Sequence, residues 1–418
     1  MRELKYEEIL SQHAEEAAFI WQLRDQSLDA PHITLDDLTR HDERLEAHLD
    51  GLRIAGEAGW ALLRSTLEDG EAGEIFVAAA TAFESGREDW IADVVKFGMK
   101  SRPLSRGLIS ALAWLPVPLV EKRIRMMLCA DVVSARRAGL AAMALHRQYS
   151  SQALLAGVVD EDTGLRSRAL RAVGELGDTD VLPATRESLN SDDEDCRFSA
   201  AWSTAILSPD KRALDVLRSL VESDSHHRDE ALQIALRRME VAEAKSWLGK
   251  VAQNPDLLRM VAVGIGVLGE QSGVPWLIEQ MKTPPLARVA GEAFTMITGR
   301  WLDDASLAGE QPEGFEAGPT ENPEDDRVAM DIDENLPWPD PARIAAWWTK
   351  HGREFSPGTR YLLGKPIRAE WLTEVLKTGR QRQRAAAALE LAILQPGKPL
   401  FEVRAPGFRQ QQWLAGNP

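Results

Sequence analysis

The chain has 418 residues, 44% of them hydrophobic, and its 65 Asp and Glu against 49 Lys and Arg give a formal net charge of −16. This hydrophobic content excludes wholesale disorder, and no apolar run approaches the ~18 residues that a membrane helix needs. The charged start lacks an apolar secretory stretch, and two cysteines make no disulfide framework, so we expect a cytoplasmic protein. The acidic balance argues against nucleic acid as the main partner.

The N-terminal region, residues 1–68, is predicted to form a helical cap. Apolar residues recur at helical spacing between residues 4 and 27, as on one face of an amphipathic helix. Thr34 followed by Asp37 approximates a capping box, which opens a second helix. Terminal repeats of a stacked array need one face that is not apolar, so we expect this region to close the array that follows.

A repeat of about 31 residues occupies the next segment, residues 69–301. Leu176-Gly177 with Pro183 returns as Leu268-Gly269 with Pro275, and this offset divides into three such steps. Small anchor residues recur at each step: Ala138, Ala169, Ala200, Ala231, Val261 and Ala290. Five of the six residues seven positions further on are aliphatic, on the same helical face. Each repeat divides into two helices, and neighbouring pairs must stack to bury a core.

Aspartates recur with the same period, seven residues before an anchor: Asp131, Asp162, Asp193 and Asp224. Aspartate is a preferred N-cap because its carboxylate accepts hydrogen bonds from free amides of the first helical turn. Three of the four are followed, four residues later, by an arginine: Arg166, Arg197 and Arg228. We interpret this set as a structural ladder of caps and ion pairs. The alternative is a row of arginines that binds a ligand.

One stretch of the repeat carries a resemblance to a known family. The pattern R-x-x-A-x-x-A-V-G-x-L-G-D…P, from Arg166 to Pro183, resembles the short HEAT-like repeats first associated with phycobilisome lyases. The resemblance covers roughly residues 130–300 and is specific for architecture, not for activity. It implies an all-α fold, an α-solenoid of HEAT-like helical pairs.

An acidic segment, residues 302–340, follows the repeats. From Asp303 to Glu334 there are twelve Asp and Glu against one basic residue, Arg327, and several Gly and Pro residues interrupt any helix. This composition predicts a flexible, solvated linker. The Asp-x-Asp-Glu stretch at 331–334 lacks the Gly and the terminal Glu of a calcium-binding EF-hand loop.

The C-terminal region, residues 341–418, reverses the charge. Between Arg360 and Arg409 there are ten Lys and Arg against four Glu, and helices are predicted at 341–351, 367–378 and 379–394. Trp and Arg are the usual energetic anchors of protein interfaces. The predicted partner-binding residues are therefore Trp347, Trp348, Trp371, Arg380, Arg382 and Arg384. The alternative is that these tryptophans form the core of the region.

Both ends of the chain carry a second resemblance. The N-terminal HAEEAAFIW and HDERLEAHLDGLRIAG, with the C-terminal LPWPDP, RYLLGKP and GRQRQRAAAALEL, are similar to an uncharacterised proteobacterial family of HEAT-repeat proteins. Genes of that family often lie in type VI secretion neighbourhoods. The resemblance implies an accessory or adaptor role and brings no functional residues with it.

The sequence carries no recognisable catalytic or nucleotide-binding motif. His41 and His48 lie seven residues apart on a predicted helix, about 10 Å along its axis, which is too far to share one metal ion. The adjacent His226 and His227 beside Asp224 read as a surface loop. We therefore predict no enzyme, no metal site and no cofactor.

The predicted function is that of a protein-interaction scaffold or adaptor, with a bacterial secretion system as the setting that the second resemblance implies. The alternative function is binding of nucleic acid or a phosphorylated ligand through the basic C-terminal region and the arginines of the ladder.

Overall fold

A computed structural model describes residues 2–148, 150–303, 306–318 and 330–416. The chain forms two compact units. Unit 1 comprises Met1–Ser208, Lys377–Arg384 and Gln395–Pro418, and unit 2 comprises Pro209–Leu376 and Ala385–Leu394. This division passes through the segment predicted as the repeat array, and it distributes the C-terminal region over both units.

The α-helices in the described residues of the first stretch of unit 1 are α1 Arg2–Ser27, α2 Leu35–Ala55, α3 Glu57–Thr66, α4 Ala72–Ser85, α5 Glu88–Gly98, α6 Arg102–Trp114, α7 Val117–Leu128, α8 Val133–Leu145, α9 Ser151–Val158, α10 Thr163–Leu176, α11 Leu182–Glu187 and α12 Glu194–Leu207. Unit 2 continues with α13 Lys211–Glu222, α14 Arg228–Arg238, α15 Val241–Val251, α16 Leu258–Leu268, α17 Val274–Gln280, α18 Pro284–Thr298 and α19 Pro341–His351. The last elements are β1 Tyr361–Leu362, β2 Lys365–Pro366, α20 Ala369–Thr378, α21 Gln381–Leu394 and α22 Gly407–Leu414.

The N-terminal helices of unit 1 form as the sequence predicts. The Thr34 hydroxyl accepts from the amide of Asp37, and the Asp37 carboxylate accepts from the amide of Thr34, so the capping box that opens α2 is confirmed. The helix runs to Ala55, one to two turns beyond the predicted end near His48. Helix α1 packs against α2 and α4.

Stacked helical pairs form the body of each unit. In unit 1 the first helices of successive pairs, α4, α6, α8, α10 and α12, contact one another in order, and in unit 2 the same holds for α14, α16 and α18. All six anchor residues are at most 2% exposed. The predicted fold class, an all-α solenoid of helical pairs, is confirmed.

Small residues permit this stacking. At Gly107 in α6, a Cβ atom would lie 2.1 Å from the carbonyl oxygen of Ala72 in α4, far inside van der Waals contact. Gly107 stands where the 31-residue period places an earlier anchor, so the repeat needs a small residue here as it does at the alanines.

In unit 1, a C-terminal strap, residues 395–416, contacts the C-terminal ends of α6 and α10. Its Leu400 amide donates to a carbonyl in the last turn of α10 (2.9 Å). The Arg409 guanidinium donates to the carbonyls of Ala113 and Trp114 at the end of α6 (2.7 and 2.6 Å). A cation here compensates both the free carbonyls and the negative end of the helix dipole. The strap is therefore integrated into the unit rather than extended from it.

In unit 2, the β1–β2 hairpin makes a similar connection. The Arg360 guanidinium donates to the carbonyls of Val267 and Leu268 at the end of α16 (3.2 and 3.0 Å). The amide of Tyr361 donates to the carbonyl of Gly269 (2.8 Å). Basic residues of the C-terminal region thus stabilise helix ends within each unit.

The end of the acidic segment, from residue 330 on, is not the solvated linker that its composition predicts, whereas the glutamates of residues 306–318 are exposed. Asp333 is 4% exposed, and its carboxylate forms two hydrogen bonds with Arg259 (2.5 and 2.8 Å). Asp331 pairs with Arg288, which also donates to the main-chain carbonyl of Asp333 (2.9 Å). The prediction failed because the compensating arginines lie on repeat helices far away in sequence. The middle of the segment lies outside the described residues.

Candidate functional site

The arginines of the predicted ladder bind main-chain carbonyls of the loop that precedes their own helix. Arg166 donates to the carbonyl of Asp160 (2.7 Å), and Arg197 to that of Ser191 (2.6 Å). In unit 2, Arg228 donates to the carbonyl of Ser223 (2.8 Å). Each guanidinium thus supports an inter-repeat loop.

The sequence pattern missed one member of this row. Arg136 donates to the carbonyls of Ala130 and Asp131 (3.1 and 2.9 Å), the same contact that the later arginines make. It also reaches the carboxylate of Asp160, in the next loop of unit 1 (3.3 Å). The residue four positions after Asp131 is Ala135, and Arg136 follows it directly. A tolerance of one residue in the period would therefore have included Arg136.

Only two of the four periodic aspartates cap helices. Asp162 accepts from the amide of Leu165, and Asp193 from that of Cys196, both at 2.8 Å. Burial raises the pKa of Asp193, but its hydrogen bonds with Cys196 and the positive charge of Arg166 hold this pKa below its usual value. Asp131 and Asp224 cap no helix, because the N-cap residues of α8 and α14 are Val132 and His227. Both aspartates are exposed.

These two classes of aspartate predict different mutational effects. We expect Asp162→Ala to lower the free energy of unfolding by about 1 kcal/mol, since the first turn of α10 loses its cap. Asp131→Ala, at the equivalent position of the preceding repeat, should change it by less than about 0.5 kcal/mol. Denaturant unfolding followed by circular dichroism measures both. Equal effects of the two substitutions would contradict the assignment of the caps.

An aromatic row in unit 2 contains two of the predicted partner-binding residues. The rings of Phe294 and Trp347 meet edge to face at 5.6 Å, and Trp347 is followed by Trp348 at 6.4 Å. Trp348 continues to Phe355 at 5.5 Å, and Phe355 to Tyr361 at 5.0 Å. Both tryptophans are half-buried, and the Trp347 ring is also stacked on His351, with centroids 4.8 Å apart.

Trp371 lies beside the hairpin of the same unit. Its indole Nε1 donates to the carbonyl of Leu362 (2.7 Å), and the Lys365 ammonium lies 4.0 Å from the ring centroid. This ring is also half-buried. The three predicted tryptophans therefore belong to one unit, where they combine packing with partial exposure.

Cations lie over many of the indole rings. Arg300 lies 5.4 Å from the centroid of Trp347, and Arg171 lies 3.7 Å from that of Trp202. Among the described residues, at least seven of the thirteen tryptophans have an Arg or Lys in this position. Tryptophan has the best ring for this interaction, which gives a physical reason for thirteen Trp against three Tyr.

The predicted arginines lie in unit 1 and differ in exposure. Arg384 is 0% exposed and donates to the side-chain amides of Gln381 and Gln410, and burial lowers its pKa to about 10. Its guanidinium stabilises the unit from inside and is not presented to a partner. An alanine-rich helix has no distinct polar face, so the sequence did not show which side of α21 this arginine occupies.

Arg380 and Arg382 are half-buried. Arg382 donates to the carbonyl of Asp29 (2.7 Å), and Arg380 forms an isolated β-bridge with Thr34. Both residues hold the start of α21 against the N-terminal helices of unit 1. Their placement supports a packing role, while leaving part of each side chain accessible.

A buried charge cluster in unit 2 was not predicted. Glu390 lies 3.2 Å from the Nε atom of Arg237 and 2.5 Å from an Nη atom of Arg360. Burial lowers the pKa of Arg237 to about 10, against the opposing effect of Glu390. Because one carboxylate serves two guanidinium groups, these contacts fix the helix and the hairpin of this unit. No local pattern marks Glu390, which lies in an otherwise apolar stretch.

The comparisons with known proteins agree with this architecture. A family model of HEAT repeats matches residues 151–237, from α9 to α14. No curated protein matches the chain. One similar solved structure is a crystal structure of an engineered protein, with 13% identity and a TM-score of 0.32, covering 85% of this chain and 96% of that chain. That low TM-score gives the likeness no weight here.

The matched repeats define a coarse class of function. HEAT repeats generally serve as scaffolds for protein interactions, because stacked helical pairs provide extended surfaces. In the part of the chain that the structure describes, no helix is both long and apolar enough to cross a membrane.

Proposed function

We propose that this protein is a non-catalytic, cytoplasmic scaffold that binds a protein partner through an aromatic surface of unit 2, formed by Trp347, Trp348 and Arg300. The observation that carries the proposal is the pair of half-buried indoles, Trp347 and Trp348, beside the exposed Arg300. Indole rings fixed by packing on one side lose little conformational entropy on binding, and Trp and Arg dominate interface energetics. Trp371 with Lys365 extends the same chemistry within the unit.

Both ends of the chain resemble a family of HEAT-repeat proteins whose genes often lie near type VI secretion genes. This resemblance indicates which class of partner to propose. We propose that the partner is a protein component of such a bacterial secretion apparatus. This finer proposal rests on the resemblance, whereas the aromatic surface rests on the geometry of unit 2.

Affinity capture from native host cells tests the proposal with three matched variants. Arg300→Glu changes an exposed side chain, and Trp348→Ala removes a half-buried ring of the surface. Trp413→Ala is the control, because Trp413 is a half-buried indole of unit 1 packed edge to face on Phe401 (5.9 Å). We expect the wild-type chain and Trp413→Ala to recover the same partner, and the other two variants to lose about tenfold or more.

Equal recovery by all four proteins would reject the aromatic surface as the binding element. Nuclease treatment of the extract separates the alternative function. If recovery depends on intact nucleic acid and falls steeply with added salt, the interaction is with a phosphate backbone and the scaffold proposal fails.

A further inference from the structure

Two histidines of unit 1 face each other between the first two helices. The Nδ1 atoms of His13 on α1 and His48 on α2 lie 3.2 Å apart, with ring centroids 5.2 Å apart and ring planes inclined at 65°. Both side chains are half-buried where the helices pack. The two residues are 35 positions apart in sequence, so the spacing of histidines along one helix could not reveal them.

This separation suits two nitrogen ligands of one metal ion. At a Zn–N distance of about 2.0–2.1 Å, two nitrogens 3.2 Å apart subtend an angle of roughly 100–105°, close to the tetrahedral value. Without a metal, one ring must present Nδ1–H and the other its lone pair. If both rings carry the proton on Nε2, both Nδ1 atoms have a lone pair available for a metal ion.

The surrounding residues hold the rings in this arrangement. Gly51, one turn after His48, packs against the His13 ring, and a Cβ atom there would lie 2.9 Å from its Cδ2 and Nε2 atoms and 3.0 Å from its Cε1 atom. The His13 ring can therefore keep its place beside His48 only while residue 51 has no side chain.

Two charged residues lie one helical turn from the pair. Glu16 follows His13 on α1, and Arg44 precedes His48 on α2. Arg44 is exposed, so solvent screens its repulsion of a bound cation.

We infer that His13 and His48 form a binding site for a divalent transition-metal ion such as Zn²⁺, with water in the remaining positions. Imidazole nitrogen is a preferred ligand for zinc and its neighbours in the first transition row. A metal bound here ties α1 to α2 and so stabilises the N-terminal end of unit 1. The inference does not depend on the proposed scaffold function.

Titration of the full-length, chelator-treated protein with Zn²⁺ by calorimetry, and with Co²⁺ by visible absorption, tests the site. All proteins carry His226→Gln and His227→Gln, because these adjacent imidazoles, with ring centroids 3.9 Å apart, could bind metal themselves. We expect one metal ion per chain, and a loss of affinity of about tenfold or more with His13→Gln or His48→Gln. The exposed His32→Gln is the matched control and should bind as the parent does.

A further variant separates the site from adventitious binding by surface histidines. Gly51→Ala keeps both imidazoles but displaces the His13 ring, so it should also weaken binding, while circular dichroism shows that the helices remain folded. Failure of the parent to bind either metal would overturn the inference. So would binding that survives His13→Gln and His48→Gln, or that falls equally with His32→Gln.

Discussion

Replacing Asp42 with alanine is expected to lower the free energy of unfolding by about 3–5 kcal/mol, the usual cost of removing one partner of a buried ion pair. Asp42 is 0% exposed, and its carboxylate lies 2.5 Å from the Nε atom of Arg24, which is itself 6% exposed. It also accepts from the amide of Gly407 in the strap (2.5 Å). Without Asp42, the Arg24 guanidinium would keep a buried charge and lose its carboxylate.

The same pair joins the strap to the N-terminal helices of unit 1. Arg24 donates to the main-chain carbonyls of Arg404 and Ala405, both at 3.0 Å. We therefore expect Asp42→Ala to increase hydrogen exchange in the strap as well as in α2. Chemical denaturation followed by circular dichroism measures the stability, and hydrogen exchange locates the loss.

An exposed ion pair provides the matched control. Glu121 and Arg125 lie at i and i+4 on α7, and Glu121→Ala should change the stability by less than about 0.5 kcal/mol. Asp42→Asn is a second informative variant, because it keeps the side-chain shape and an acceptor for Gly407 while removing the negative charge. If Asp42→Ala stays within about 1 kcal/mol of the wild type, the pair does not make the contribution argued here.

Periodic features of the sequence predicted the architecture because they report local packing. Ala138 and Ala169 recur since each stacked helix needs a small residue at the same depth, and a constant step reveals that need without any tertiary information. Thr34 and Asp37 identified a helix start for a similar reason, since capping involves residues three positions apart. Local and periodic constraints leave a visible trace in one sequence.

Contacts between distant segments leave no such trace. Arg409 and Arg360 looked like members of a basic surface, yet each is used to compensate carbonyls at a helix end. Asp333 looked like part of a solvated acidic linker, although Arg259 binds it in a buried position. A count of charges cannot distinguish a side chain that meets solvent from one that meets a partner elsewhere in the fold.

The candidate site was predictable only in part. Trp347 and Trp348 could be selected from the sequence because Trp is a usual energetic anchor of protein interfaces, and both are half-buried in the structure. Arg384 shares its local pattern with Arg382, and only the packing of α21 decides that one is enclosed while the other stays accessible. The facing imidazoles of α1 and α2 required knowledge of how the two helices pack.

Lowering the pH from 7 to 5 is expected to destabilise the protein partly through His146. This side chain is 9% exposed, and its Nε2–H donates to the carbonyl oxygen of Leu112 (2.7 Å). Burial lowers the pKa of His146 from 6.5 to about 4, and the nearby Arg409 cation acts in the same direction. The folded state therefore keeps this ring neutral at a pH where the unfolded chain already binds a proton.

The sign of the effect follows from this difference. The stabilisation by His146 is complete above pH 6.5 and is lost progressively as the pH falls toward about 4, because the unfolded state binds more protons in that window. Two such pKa values give a loss of about 2 kcal/mol between pH 7 and pH 5. Denaturant unfolding at several pH values measures this loss.

His146→Gln isolates the contribution of this one residue. Glutamine stays neutral throughout the window and offers an amide N–H in place of the ring N–H, so the variant should lose about 2 kcal/mol less than the wild type over the same pH step. The exposed His32→Gln should follow the wild-type curve. His41 and His48 also have lowered pKa values, but both remain in each protein and cancel in the comparison. An unchanged pH dependence in His146→Gln would show that this ring can be protonated without cost, and hence that the end of α6 opens before the unit unfolds.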